Sequence, residues 1–141
     1  MTSRVLVPMD GSEMSELALE YALEIYPDVE LTVLHVVGEP SAMFGKATEL
    51  ALADDVEEAM DEHAKAVFDR AQEIAAEEGR EADLETKVVL GHPVRAIVNR
   101  AGDYDAVVIG SHGGTLAERL FVGNVAEKVF RRSPVPVTVV R

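Results

Sequence analysis

Apolar and polar positions change period several times along the chain, and each change marks the edge of an element. Arg4 to Met9 is a short apolar run that predicts a first strand. Met14, Leu17, Ala18, Tyr21, Ala22 and Ile25 then recur at helical spacing and predict the buried face of a helix. Ser12 is its expected N-cap, with Glu13 and Glu16 at the positive end of the dipole. Leu31 to Val37 predicts a second strand. Gly38, Pro40 and Gly45 interrupt the pattern before a long helix from about Asp54, which carries Val56, Met60, His63, Val67, Ala71 and Ile74 on one stripe and stops at Gly79. Leu84 to Leu90 predicts a third strand. Pro93 opens the next helix, Val94, Ile97, Val98 and Ala101 line its buried face, and Gly102 closes it. The continuous apolar run Ala106 to Ile109 is what a strand covered on both faces requires. A last helix is expected from about Val125 to Arg132, and Val135 to Val140 as a fifth strand.

Strands alternating with helices imply a doubly wound α/β fold, with five parallel strands, right-handed crossovers and helices on both faces. The length of 141 residues suits one domain spanning residues 1–141. In such sheets ligands bind beyond the carboxyl ends of the strands, where the strand order reverses. Function is therefore sought just after the strands, at Asp10, Val36, Gly91 and Gly110. The segment from Gly38 to Asp54 follows a strand on that edge, and its Gly and Pro residues make it the expected mobile part.

Charge changes the picture of the surface: 26 acidic against 13 basic residues give a net charge of −13, with nine Arg and only four Lys. Such a surface repels nucleic acid and anionic membranes, so neither is an expected partner. Two settings carry this balance: a salt-loving proteome, where self-repulsion is screened over ~3 Å at 1 M salt, or an ordinary acidic cytoplasmic protein. The first is favoured. No stretch approaches the roughly 20 apolar residues of a membrane span, and Met1 to Arg4 runs straight into Val5-Leu6-Val7, too short for a signal-peptide core. A cytoplasmic location is expected. Without cysteine there is no disulfide, thiol nucleophile or thiolate metal site.

Candidate chemistry follows the fourth strand, where Gly110-Ser111-His112-Gly113 is succeeded by Gly123-Asn124 at the start of the last helix. Small residues bring backbone N–H groups close to a ligand and the helix start adds its dipole, which together make an anion site without side-chain charge. A lone glycine pair more often only shapes turns, and Asp10 by itself reads more readily as a cap on the turn before Ser12. His35 in its apolar strand reads as a packed core histidine, and His63 as structural. His92 and His112 are loop residues, and the four histidines lack metal-ligand spacing. The cluster Asp54, Asp55, Glu57, Glu58, Asp61 and Glu62 is most simply a solvated helix face.

The pattern Gly110-x2-Gly113-x9-Gly123 resembles the ATP-binding loop of universal stress proteins, whose usual form is G-x2-G-x9-G followed by Ser or Thr. Similar blocks surround it: Val5-Leu6-Val7-Pro8-Met9-Asp10-Gly11-Ser12, Leu34-His35-Val36-Val37, Gly91-His92-Pro93 and Ser133-Pro134-Val135-Pro136-Val137. They cover nearly the whole chain in order. The resemblance implies a Rossmann-like fold of the adenine nucleotide alpha hydrolase type with strand order 3-2-1-4-5. It also implies ATP or a related adenine nucleotide as ligand, with Mg or Mn, and a homodimer made through the C-terminal strand. Asp10 and Val36, with Pro8 beside them, would contact adenine or ribose, Gly110 the ribose, and Gly113, Gly123 and Asn124 the phosphates. Asn124 departs from the pattern. It caps a helix as well as Ser does, and Glu127 completes a near capping box, but the hydroxyl is gone.

Three classes of function compete. The favoured one is an ATP-binding regulatory or stress-response protein. The second is an enzyme on the same superfold, for which neither a P-loop G-x4-G-K-[ST] nor an H-x-G-H motif is present. Slow ATP hydrolysis, or self-phosphorylation at Ser111 or Thr115, stays open within it. The third is a dimeric scaffold of the same family that binds no nucleotide.

The charge reading makes a prediction. The melting temperature should rise with KCl over the molar range, because screening relieves the self-repulsion of a charge of −13. A midpoint flat or falling with salt in thermal melts would remove the salt-adapted reading.

Overall fold

The computed structural model describes residues 2–38, 54–111 and 124–141. The expected mobile segment at 39–53, and His112, Gly113, Thr115 and Gly123, lie outside the described residues, as do the side chains of Val56, Met60 and His63. In chain order the elements are β1 (Arg4–Pro8), α1 (Glu13–Ile25), β2 (Glu30–Val37), α2 (Asp54–Glu77), a short 3-10 turn (Glu81–Asp83), β3 (Leu84–Leu90), α3 (Pro93–Ala101), β4 (Ala106–Gly110), α4 (Asn124–Arg132) and β5 (Val137–Val140).

The five strands form one parallel sheet in the order β3-β2-β1-β4-β5. Side chains alternate across it, so two apolar layers form. Val5, Val7, Leu31, Val33 and Val108 pack under α1 and α2, while Leu6, Leu34, Val107 and Ile109 pack under α3 and α4. Because both faces are covered, β1 and β4 read as nearly continuous apolar runs, and β2 is broken only by the buried Thr32 and His35. Among the described residues no helix is long and apolar enough to cross a membrane.

Helix starts follow the expected chemistry. The Ser12 hydroxyl accepts from Ser15 N–H at 3.2 Å and caps α1, and Pro93 opens α3. The end of α2 is a Schellman turn: Arg80 N–H donates to Ala75 C=O at 2.8 Å and Gly79 N–H to Ala76 C=O at 2.9 Å. Gly79 takes the left-handed conformation that this turn needs, with φ +67°. Arg80 is thereby placed to donate to Leu23 C=O at 2.8 Å and Val29 C=O at 2.7 Å. α1 has no basic residue in its last turn, so Arg80, just beyond α2, brings the cation to its negative end.

Three expectations are corrected. The buried face of α1 is Met14, Ser15, Ala18, Leu19, Ala22 and Leu23, whereas Leu17, Tyr21 and Ile25 are exposed. Apolar rows flank both sides of the helix in sequence, and packing against α2 decides between them. Glu16 meets Arg70 of α2 at 3.0 Å, which turns that flank inward. The fifth strand begins at Val137 instead of Val135. There the Ser133 hydroxyl accepts from Val135 N–H and donates to Val135 C=O, which holds the preceding residues in a local turn. Asn124 is the first residue of α4 and not the cap before it, and the Glu127 carboxylate accepts from Arg131 at 3.2 Å instead of completing a capping box.

At the amino ends of the strands, Asp105 Oδ2 accepts from Ser3 N–H at 2.8 Å and Arg4 N–H at 3.0 Å, and the Arg4 guanidinium lies 4.7 Å over the Tyr104 ring. The two backbone N–H groups hold the Asp105 carboxyl below the usual carboxylate range. A carboxyl group with a lower pKa in the folded state stabilises the fold above its ordinary value and loses that contribution as pH falls through the folded value. Asp105→Ala should therefore melt below the parent at neutral pH, and the gap should close as pH falls below about 4. Thermal melts across pH 3–7 would show a constant gap if the latch is absent. On the opposite account, Thr32 is buried in β2 with its hydroxyl unpartnered. Thr32→Val should raise stability by about 1 kcal/mol in urea unfolding, because it removes an unsatisfied polar group without changing shape.

Candidate functional site

β1 pairs with β2 over five residues, Arg4 to Pro8, but with β4 only at Val5 and Leu6. Above Leu6 the two strands part, and this is where the strand order reverses. Pro8 stands at the parting. Met9 N–H donates to Leu34 C=O, so odd residues of β1 address β2 and even ones address β4. The N–H that proline lacks would have pointed into the gap, where no ladder bond exists to lose.

The gap opens into a cavity of about 310 Å³, within the range of small-molecule sites. Pro8, Asp10, Val36, Gly110 and Asn124 all line it, which brings together every described member of the predicted site. Leu34, Pro93, Ile97, Ile109 and Ala126 supply apolar wall that the sequence reading did not assign. Pro93 and Ile97 had a signal, since they follow the Gly91-His92-Pro93 turn at the end of β3. Leu34 and Ile109 were read within their strands and Ala126 only within its helix, because one strand or helix residue can serve both core and site.

Asp10 is exposed on the rim, and its Oδ1 accepts from Ser12 N–H at 2.9 Å. It thus does cap the turn leading into α1. Its second oxygen has no partner among the described residues. His35, buried on β2, donates from Nδ1 to Met9 C=O at 2.8 Å and lies edge-on to Phe68. It is a core histidine, as expected, and it also fixes the backbone immediately before Asp10. His92 is exposed and its side chain caps nothing.

Gly110 lines the cavity, but what demands glycine there is α1. A Cβ at this position would lie 2.8 Å from the Met14 carbonyl carbon and oxygen and 3.1 Å from Ser15 N, closer than backbone atoms tolerate. The first turn of α1 can therefore seat directly on the end of β4. Ser111 follows, fully buried, with N–H donated to Val140 C=O at 2.8 Å and its hydroxyl unpartnered. Ser111 also lines the cavity. Among the described residues no cluster of His, Asp or Glu is placed to hold a metal ion by itself.

Asn124, Val125 and Ala126 of the first turn of α4 also border the cavity. The backbone amides of a first turn have no intrahelical acceptor, so the site combines an apolar slot, one carboxylate and an electropositive helix end. This arrangement suits a flat apolar ring joined to an anion.

Comparison with known proteins agrees with this geometry. The model of the universal stress protein family matches residues 1–141. The chain is 31% identical to universal stress protein YxiE of Bacillus subtilis over 150 residues, covering 100% of both. Among solved structures, universal stress protein UspA from Lactobacillus plantarum superposes with a TM-score of 0.80 at 29% identity, covering 99% of this chain and 98% of that one. A universal stress protein in complex with cAMP superposes with a TM-score of 0.72 at 30% identity, covering 99% and 97%. The five-stranded parallel sheet, its order and a sequence match along its whole length place the chain in the universal stress protein family.

Proposed function

We propose that the chain binds ATP or a related adenine nucleotide in the crevice between β1 and β4, and acts as a cytoplasmic regulatory or stress-response protein and not as a catalyst. The observation that carries this reading is the composition of the cavity. Val36, Ile97 and Ile109 offer apolar wall to the faces of a base, and Asp10 on the rim offers its second carboxylate oxygen to ribose hydroxyls. The first turn of α4 offers backbone amides and the Asn124 side chain to phosphate. In this reading Pro8 packs beside the base and the Gly110 backbone borders the ribose. Gly113 and Gly123 complete the phosphate contacts on the strength of the sequence pattern alone. A divalent ion, Mg or Mn, would be carried mainly by the phosphates and water, as hard cations bound with nucleotides commonly are. The cAMP complex of a relative supports the adenine half of the reading.

Regulation is favoured over catalysis because the sequence carries neither a P-loop nor an H-x-G-H motif, and slow ATP hydrolysis or self-phosphorylation is an alternative. We also propose a homodimer through β5, an end strand of the sheet. A nucleotide-free dimeric scaffold is the other alternative.

Calorimetric titration tests the reading. ATP with Mg²⁺ in molar KCl should bind the parent, and Gly113→Val should abolish binding, since a β-branched side chain would occupy the space where the backbone approaches phosphate. Asn124→Ser, which restores the family's residue, should bind at least as tightly as the parent. If the parent takes up no adenine nucleotide under these conditions, or Gly113→Val binds equally well, the scaffold reading replaces this one.

A further inference from the structure

α1 carries an apolar row that the fold does not use. Leu17, Tyr21 and Ile25 are 36%, 39% and 39% exposed, while Met14, Leu19 and Leu23 of the same helix are buried. A spacing of four sets the three in one line along the helix. Its direction follows from the neighbours: Glu16 meets Arg70 of α2, and Leu23 C=O meets Arg80 just beyond α2, so that flank faces α2. At about 100° per residue, Leu17, Tyr21 and Ile25 fall on the other flank. α2 covers β2 and β3, whereas α1 lies over β4 and touches β1 and β5 to either side. The row therefore overhangs β5, where the sheet ends.

The edge beneath it is suited to pairing. Val107 N–H donates to Pro136 C=O and Ser111 N–H to Val140 C=O. The backbone of Pro136, Thr138 and Val140 is thus turned toward β4, and that of Val137 and Val139 away from it. No charged side chain stands on Val137–Val140, unlike the other edge strand, β3, which exposes Glu85 and Lys87. Yet a strand of four residues falls far short of the roughly 20–30 residues a side in a stable interface. A second copy paired here must also use the helices that flank the edge.

We propose that Leu17, Tyr21 and Ile25 pack against the same row of a second copy, across the two-fold axis that pairs β5 with β5; this rests on the β5 dimer proposed above. An antiparallel β5 pair sets that axis perpendicular to the sheet, which keeps both copies of α1 on one face. Strands lie ~4.8 Å apart, so a helix over β4 stands about one and a half spacings from the axis and the two helices about 14 Å apart. Directly packed helices approach to about 8–10 Å. The remaining gap is one that Leu, Tyr and Ile side chains from both copies fill. The heights also match. Met14 sits against Gly110, which is in register with Val140. Thr138 lies ~7 Å lower, and that drop spans roughly four to five residues of α1, reaching the level of Leu17 to Tyr21.

Sedimentation of the full chain at micromolar concentration in molar KCl tests the contact. The parent should be a dimer, and Val139→Pro, which removes an outward N–H, should be a monomer. Leu17→Gln/Tyr21→Gln should raise the dimer dissociation constant at least tenfold with an unchanged circular-dichroism spectrum and unchanged ATP titration, while Leu17→Ile/Tyr21→Phe should match the parent. If the parent dimerises, Val139→Pro is monomeric and the Gln pair dimerises as tightly as the parent, the helix contact is wrong and β5 pairing stands. A monomeric parent, or a dimer that survives Val139→Pro, removes both.

Discussion

The crevice exists because β1 and β4 share only two residue pairs before they separate. They are neighbours in the sheet but not in sequence, and the chain leaves β1 toward β2 and leaves β4 toward β5. Their connections therefore run to opposite sides of the gap between them. Pro8, which has no N–H to offer β4, and Gly110, which admits the first turn of α1 to the end of β4, are the residues that fit this parting. The cavity, the position of Asp10 and the end of α4 that borders it all depend on it.

Among the described residues that line the cavity, Asp10 is the one charged side chain, and its rim position lets water and the Ser12 N–H share its charge. Attraction for an anion is left to helix amides, which hold partial positive charge without adding a cation to the surface. That division suits a protein of net charge −13, whose field would otherwise repel an anionic ligand at low salt.

Positive charge inside the fold serves structure. Arg80 closes α1, the turn before β2 and the end of α2 at once, and Arg70 ties α2 to α1 through Glu16. Together they set the rotation of α1. That rotation buries Leu19 and Leu23 and leaves Leu17, Tyr21 and Ile25 over the β5 edge. One packing decision between two helices thus fixes both the helix that supports the site and the surface offered to a second copy.

Hydrophobic period determined the elements, because a parallel strand buried on both faces and a helix buried on one have different signatures within a few residues. Alternation then fixed the fold class. The glycine pattern and the blocks after β1, β2 and β4 located the crevice, and Pro8, Asp10, Val36, Gly110 and Asn124 line one cavity there. What the sequence could not decide depends on partners distant in the chain. Which of two apolar rows on α1 is buried follows from α2. Gly110 reads as a ligand contact until Met14 is found 2.8 Å from where its Cβ would be. The walls at Ile97 and Ile109 are indistinguishable in sequence from any core residue. Local period records how much apolar surface a segment must hide, whereas the direction in which it hides is set by packing between segments that only the folded chain brings together.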